Sequence, residues 1–600
     1  MHLVSKTTGH CIAAIVLALV VGGASPAAAQ VYVDQDATGA RDGSSWADAY
    51  TDLQRAIDNA TGADELWIAA GIYRPGGEDE SFLITGAKDG LALYGGFDAT
   101  ETTRAQRAPT LHRTILSGDL DGDDVDPDGD GIIESADPNQ DGTPDALKGP
   151  NANRVLVFDG GFRSAPFVEP NITPETVIDG IVVTAGQADG AFPQDRGAGL
   201  YCDGMGPGNQ CSPTLRNVVF AGNAAFIGGA IFADGDAGTA SPIITDATFT
   251  GNMVWSHGGA IFNSGLGGAA RPVITRAAFV GNTASENGGA IYNDGSDHGS
   301  ARPVVTNVTF AGNVAQNGGA IYNDGTMNGS ASPFITNATF TGNAALFDGG
   351  AMYNDGWSDG EAAPQITNSI LWNNTATGSG DEMLNNLGRT SESSSLLTHT
   401  IIEGGVNGPG VEGGSNTYGG GNQDADPVFL APSLPAGPDG AFRTADDGLN
   451  IGADSPALDA GTNQPFWSGG VAEGVSMDIT GGERFLDRDE NGTATVNIGA
   501  YETAPPTVAA SAPPPYCLTA PAPNPATLGA TMRLAVQEAQ PVRVAVYDVL
   551  GREVAVLRRG PMSAQQPTTL RVGEGLPAGQ YFVRAVGERF RATERLTVVR

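Results

Sequence analysis

The sequence predicts an all-β protein: a parallel β-helix of stacked coils, followed by a small C-terminal antiparallel β-sandwich. Three observations carry this. The nine residues NGGAIYNDG at 287–295 return unchanged at 317–325, inside a longer repeat of 29 to 31 residues. That repeat consists of short β-branched and aromatic runs broken by Gly, Asn and Asp, with no 3.6-residue period in which a helix could hide. Past a Pro/Ala-rich stretch at 504–516 the charge also reverses. Between residues 30 and 516, 62 acids face 19 Arg and Lys, whereas 517–600 carries 11 Arg and six acids. Such a break marks a domain boundary.

The repeat comes first. F-x-G-N begins at 220, 249, 279, 310 and 340, and G-G-A at 228, 258, 288, 318 and 349. A unit this small cannot bury a core alone and must stack on its copies. Equivalent residues then lie about 4.8 Å apart in neighbouring coils. Three internal ladders follow. Phe220, Phe249, Phe279, Phe310 and Phe340 form an aromatic one; Ile231, Ile261, Ile291, Ile321 and Met352 an aliphatic one. In the third, Asn223, Asn252, Asn282, Asn313 and Asn343 pass side-chain amide hydrogen bonds from coil to coil. Each buried apolar side chain contributes about 1.5–3 kcal/mol. Asp294, Asp324 and Asp355 form a further column, broken by Ser264. It is expected to cap turns rather than to form a ligand-binding stripe.

The paired F-x-G-N and G-G-A-[IM]-[FY] motifs over 220–356 resemble the polymorphic outer-membrane protein repeat of bacterial surface adhesins and autotransporter passengers. The resemblance implies a right-handed parallel β-helix displayed at a cell surface. GAGLY at 197 and ILWNN at 370 are looser flanking units. No long transmembrane β-barrel follows the repeats in this sequence, so the autotransporter route is not expected.

Upstream, Lys6 and His10 precede an apolar core from Ile12 to Val21, and AAAQ offers a cleavage site near Ala29–Gln30. This is the pattern of an export signal over 1–29. No later stretch reaches the roughly 20 apolar residues a spanning helix needs. Residues 30–117 are expected to hold an N-terminal cap and the first coils. SWADAYTDLQRAIDNA (45–60) places Trp46, Tyr50, Leu53 and Ile57 on one helical face, suited to cover the open end of the stack. ELWIAAGIY and LALYGGFD read as the first strands. VYVDQDATGARDGSSWADAYTDLQRAI, and the stretch from SPALDAG to VNIGAYE (455–502), resemble the opening and closing segments of bacterial secreted β-helix proteins. That implies a solenoid from about residue 30 to 503, its main body at 151–503. Cys202 and Cys211 bracket a Gly-rich loop and can pair in an oxidising compartment, a point the sequence leaves open; Cys517 is left over.

Residues 118–150 form an acidic insert. Asp126, Asp128, Asp130, Gly131, Glu134 and Asp137 match D-x-D-x-D-G with an acid at the twelfth position. Calcium needs several oxygens on a loop bent sharply by glycine, which this pattern supplies. A second, poorer loop starts at Asp137 with Asn139, Asp141 and Asp145, and Asp119, Asp121 and Asp123 make a third option. The pattern resembles the calcium loops of EF-hand-like and thrombospondin type 3 repeats, without flanking helices. Calcium is the expected cofactor; the alternative is a disordered acidic insert.

In the tail, VRVAVYD and QYFVRA alternate apolar and polar residues and DVLGRE sets a turn, which predicts a small sandwich over 517–600. PNP, YDVLGREV and LPAGQYFVR resemble the type A C-terminal sorting domain of type IX secretion. By that resemblance the type IX machinery is a partner and the route runs through the periplasm. The acidic body argues against nucleic acid, which rewards a basic surface. The expected function is that of a secreted or cell-surface, outer-membrane-associated β-helix with an adhesin-like or structural role. It would present a rigid face to an extracellular glycan or another cell surface. The alternative is a polysaccharide lyase or glycoside hydrolase. A glycosidase needs two carboxylates about 5–9.5 Å apart across a cleft, and a lyase needs acids beside a base. Arg271, Arg276 and Arg302 instead flank the P-[VF]-[IV]-T strand on the side opposite the Asp column, and His257 and His298 are isolated. No catalytic residue is assigned.

Overall fold

A computed structural model describes residues 29–137, 142–160, 171–386, 394–405, 410–414, 416–487 and 492–502. In the C-terminal region it describes 516–599, apart from 519–520, 522–525, 527–528, 537–538, 549–551, 565–567, 574 and 588–589. Residues 1–28 of the expected export signal and 504–515 of the expected linker lie outside the described residues.

The chain winds into a parallel β-helix. Among the described residues its strands form four parallel sheets, of 18, 10, seven and five strands. The two larger sheets face each other across the core, and the two smaller ones consist of two-residue strands at the corners. Register is in phase from coil to coil. Phe220, Phe249, Phe279, Phe310 and Phe340 are successive partners in the first sheet. Their rings stack at centroid distances of 5.4, 4.6, 5.0 and 4.6 Å. Ile231, Ile261, Ile291, Ile321 and Met352 are successive partners in the second sheet. Both ladders lie in one buried cluster, as a period-two strand requires of alternate side chains.

The asparagine ladder is also present. Asn223, Asn252, Asn282, Asn313 and Asn343 each donate Nδ2 to the Oδ1 of the next, at 2.9, 2.9, 2.9, 2.8 and 2.7 Å, the last acceptor being Asn374. From Asn252 onward each Oδ1 also accepts the backbone N–H of the previous asparagine, for example Asn282 to Asn313 at 3.0 Å, and Asn223 Oδ1 accepts the Gly186 N–H. These amides are buried and their hydrogen-bonding capacity is used, which removes the cost of hiding them from water.

The first sheet turns a corner inside its own strands. Val273–Val280, for instance, pairs through Thr275 and resumes at Ala277, skipping Arg276 at φ 51°. Asn217, Asp246, Asn307, Asn337 and Asn368 hold the same left-handed conformation one coil apart. Asn and Asp tolerate it; Arg276 is held there by a bidentate bond to Asp246, at 2.8 and 2.6 Å.

Two features depart from the sequence reading, the extent of the N-terminal helix and the end of the parallel strands, and a third decides the cysteine pairing that the sequence left open. The N-terminal helix is only Leu53–Asn59, N-capped by Asp52, whose side chain accepts the Arg55 N–H at 2.9 Å. Trp46 and Tyr50 precede it, because Asp48 bonds Ser45 Oγ and the Ala40 N–H and fixes a turn instead. The helix still covers the end of the stack: Gln54 bonds both the N–H and the carbonyl of Leu83, in the first strand of the second sheet. Cys202 and Cys211 are joined by a disulfide within the buried core.

Parallel strands end at Thr417–Tyr418, not near residue 503. Residues 424–487 and 492–502 form an irregular strap folded back over the outer face of the first sheet. Leu449, Ile479, Ala500 and Tyr501 pack on Ala311 and Val280, and Ile451, Ala457 and Ile498 on Ile370 and Ile401. The corner asparagines receive it: Asn307 donates to Met477 O at 2.6 Å, Asn337 to Asn497 O at 3.0 Å and Asn368 to Thr462 O at 2.8 Å. The strap buries apolar side chains on the outside of the coils, so it needs no repeat of its own. Separately, the C-terminal strands form antiparallel sheets of three and four strands around one apolar cluster, the expected sandwich.

The disulfide closes a loop ten residues long from Cys202 to Cys211. A double Cys202→Ala/Cys211→Ala variant is expected to lose about 2–3 kcal/mol, by the chain-entropy relation for such a loop. Denaturant titration against the oxidised wild type measures this.

Candidate functional site

The acidic insert is folded onto the coils. Ile133, Ala136, Ala146 and Leu147 form an apolar cluster with Ala185, Ala224 and Met253. The Ile133 N–H donates to Thr184 Oγ1 at 3.0 Å and the Ala136 N–H to Gly251 O at 2.9 Å. Two glycines of the F-x-G-N motif make room for it. A Cβ on Gly222 would stand 2.2 Å from Ile133 O, and one on Gly251 2.1 Å from Glu134 O, whereas Gly281 and Gly312 face open space.

Two groups of carboxylates converge there, each with oxygens within 4.8 Å of one another: Asp126, Asp128 and Asp130, and Asp119, Asp123 and Asp124. In the first, Asp126 accepts the N–H groups of Gly129 and Gly131 at 2.8 and 2.7 Å. Both glycines have positive φ, the sharp bend such a loop needs. Asp130 also pairs with Arg113. In the second, Asp119 accepts the Gly122 N–H at 2.7 Å. This turn brings consecutive Asp123 and Asp124 round to Asp119, and the Asp121 carboxylate lies beside that of Asp123. Alternate spacing in the sequence pointed to Asp119, Asp121 and Asp123 and missed Asp124; Gly122, at φ 81°, was the available signal for it.

Of the other expected ligands, Asp137 is buried and accepts the Gly142 N–H at 2.8 Å, and Asp145 is exposed. Asn139 and Asp141 lie outside the described residues.

Electrostatics mark the insert as short of positive charge. Burial, then the Asp119 carboxylate, pushes Asp124 up to about 6. Desolvation, then Asp128, raises Asp130 despite Arg113. Glu134, whose side chain reaches solvent, is raised to about 7 by partial desolvation and by Asp128, Asp130 and Asp126. Hard carboxylate oxygens, tight glycine turns and mutual repulsion fit a calcium-sized divalent cation.

The Asp column of the repeats is used differently. Asp294, Asp324 and Asp355 each accept the N–H two residues on, at 3.0, 3.0 and 3.1 Å. Tyr292 and Tyr322 donate their hydroxyls to Asp324 and Asp355, at 2.7 and 3.0 Å. Tyr201, Phe232, Phe262, Tyr292, Tyr322 and Tyr353 stack beside them in a second aromatic ladder, at 4.9–5.7 Å. Between these columns runs a second asparagine ladder, Asn263, Asn293, Asn323, Asn354 and Asn385, with amide bonds of 2.6–2.8 Å. Arg154 and Arg196 lie over the rings of Tyr201 and Phe232, at 4.0 and 4.9 Å. Arg154 is buried and its guanidinium bonds the Arg196 and Pro193 carbonyls, which gives it a packing role.

No curated protein matches the chain. Among solved structures, the crystal structure of pectate lyase Pel9A aligns over 79% of this chain and 96% of its own, at 13% sequence identity and a TM-score of 0.33. A likeness that loose carries nothing about chemistry. Within the repeats, residues 277–294 and 307–324, each running from the F-x-G-N strand to the aspartate of the N-D-G turn, match the Chlamydia polymorphic membrane protein repeat.

Proposed function

We propose that the protein is a surface-displayed β-helix with an adhesin-like binding or structural role. In this reading type IX secretion exports it through its C-terminal domain, and calcium loads its acidic insert. The observation that carries the reading is the coil-to-coil register of the outward positions, which makes a long rigid face, with the Asp column spent on turn caps and tyrosine hydroxyls. The matched repeat supports surface association. The basic, antiparallel tail supports the sorting role, and the raised carboxylates of the insert support the cation. Asp126, Asp128 and Asp130, and Asp119, Asp123 and Asp124, would hold it. When bound, calcium supplies the positive charge that lets these acids stay ionised side by side.

The full chain, expressed in a type IX-competent host, is expected to be labelled by antibody on intact cells, and a chain lacking 517–600 to remain in the periplasm. Equal surface labelling of both would contradict the export reading. In the same preparation calcium at a thousandfold excess over Kd should protect the insert from proteolysis by about 4 kcal/mol relative to chelator; no protection would contradict the cation. Incubation with acidic and neutral glycans should release neither unsaturated nor reducing ends.

A further inference from the structure

The corner between the third and second sheets carries one equivalent residue per coil, Phe226, Ser256, Glu286, Gln316 and Phe347, of which Ser256 is buried and the other four reach the surface. From Ser256 onward each N–H donates to the carbonyl of the residue one coil before, at 3.0, 3.0, 2.6 and 2.8 Å, so the five form a continuous line along the solenoid axis. Its ends are apolar and open. Phe226 is 48% exposed and Phe347 54%, with Leu346 beside it at 58%. Its middle is polar and held in place: Ser256 Oγ donates to Glu286 Oε2 at 3.0 Å, and His257 Nε2 lies 3.2 Å from the same oxygen. Glu286 is thereby fixed while its side chain remains half exposed.

We propose that this ridge binds a linear, uncharged polysaccharide lying along the solenoid axis, a site that rests on the surface-binding reading above and gives it a ligand class. Phe226 and Phe347 offer flat apolar faces on which the C–H side of a sugar ring stacks, as aromatic side chains do with other flat partners. Glu286 and Gln316 offer acceptors and an amide for hydroxyl groups between them. Coils repeat about every 4.8 Å, close to the length of one pyranose unit in an extended chain. The four steps from Phe226 to Phe347 therefore cover about 19 Å, and successive sugars meet successive coils. Charge selects among glycans: the body carries 62 acids against 19 basic residues, and that field repels a polyanion.

Affinity electrophoresis of the full mature chain through gels of hydroxyethyl cellulose, mixed-linkage β-glucan, galactomannan and polygalacturonate tests this. At least one neutral polymer should retard the protein, and polygalacturonate should not. Phe226→Ala/Phe347→Ala should weaken the retardation at least tenfold without changing the melting temperature, because both rings are exposed; Leu111→Ala, at an unrelated exposed position, should leave it unchanged. Indifference to every neutral polymer, equal retardation of the double variant, or preference for polygalacturonate overturns the ridge. Surface labelling of intact cells is read separately. A displayed chain that ignores neutral polymers loses only the ridge, whereas a chain retained in the periplasm loses the display reading itself.

Discussion

Asn313→Ala is expected to destabilise the repeat array by about 4 kcal/mol or more. Asn313 is fully buried. Its Oδ1 accepts both the Nδ2 and the backbone N–H of Asn282, and its Nδ2 donates to Asn343 Oδ1 and to Phe279 O. Alanine removes all four bonds, and each buried donor or acceptor left without a partner costs about 1–3 kcal/mol. Asn313→Asp keeps the acceptor but turns a carboxylate toward Asn343 Oδ1 and Phe279 O, so it should be at least as harmful at neutral pH. Because each coil contacts only its neighbours, amide exchange should quicken first in the coils holding Asn282 and Asn343. Denaturant titration gives the magnitude and exchange gives the location. A loss below about 1 kcal/mol would mean that the ladder is a by-product of stacking.

Glu382→Gln is expected to stabilise the protein above neutral pH. Glu382 stands where the ladder needs its last acceptor, and its two oxygens take the backbone N–H and Nδ2 of Asn374, at 3.3 and 2.5 Å. The side chain is 1% exposed. Burial, reinforced by Glu403 and Asp381 and opposed by the Asn374 bonds, pushes its carboxyl from 4.5 up to about 8. A carboxyl raised on folding is favoured when protonated. Its contribution is therefore fully favourable below the unfolded value of 4.5 and declines as pH rises through about 8. Asp236 and Asp294, each pushed from 3.8 to about 6 chiefly by burial, act in the same direction. The wild-type melting temperature should thus rise as pH falls from about 8 toward 5. Glutamine keeps one oxygen able to accept both bonds, as asparagine does in every other coil, and removes the charge penalty. At pH 8 the gain should be on the order of 3 kcal/mol, shrinking to nothing near pH 5. Glu382→Ala, which leaves both Asn374 donors unanswered, should be destabilising at every pH. Equal destabilisation by Gln and Ala at pH 8 would show that the negative charge itself holds the ladder end.

The repeating part of the fold was legible because its residues report one environment many times over. Phe279, Ile291 and Asn282 each sit in a column of identical neighbours, and their positions follow from spacing alone. The second asparagine ladder was equally available: period two puts Asn293 on the side of Ile291, but the N-D-G triplet drew attention to its aspartate. What was not legible depends on contacts made once. The strap at 424–502 has no periodicity, and only the corner asparagines Asn307, Asn337 and Asn368 hint that something docks outside the first sheet. In the insert, the acids were legible as a group, yet their convergence depends on the turn at Gly122 that brings Asp124 round to Asp119. Glu382 belongs to no repeated column, and nothing local announces that the asparagine column ends beside it.

Stacking in register is tested most directly by paired cysteines in the first sheet. Ile243, Val273 and Val304 are successive partners in three adjacent coils. Ile243→Cys/Val273→Cys, about 4.8 Å apart between backbones, should form a disulfide on mild oxidation of the folded protein. Ile243→Cys/Val304→Cys, about twice as far apart, lies beyond the reach of the bond and should not. A bond in the distant pair, or none in the near pair, would contradict coil-on-coil stacking and the rigid surface built upon it.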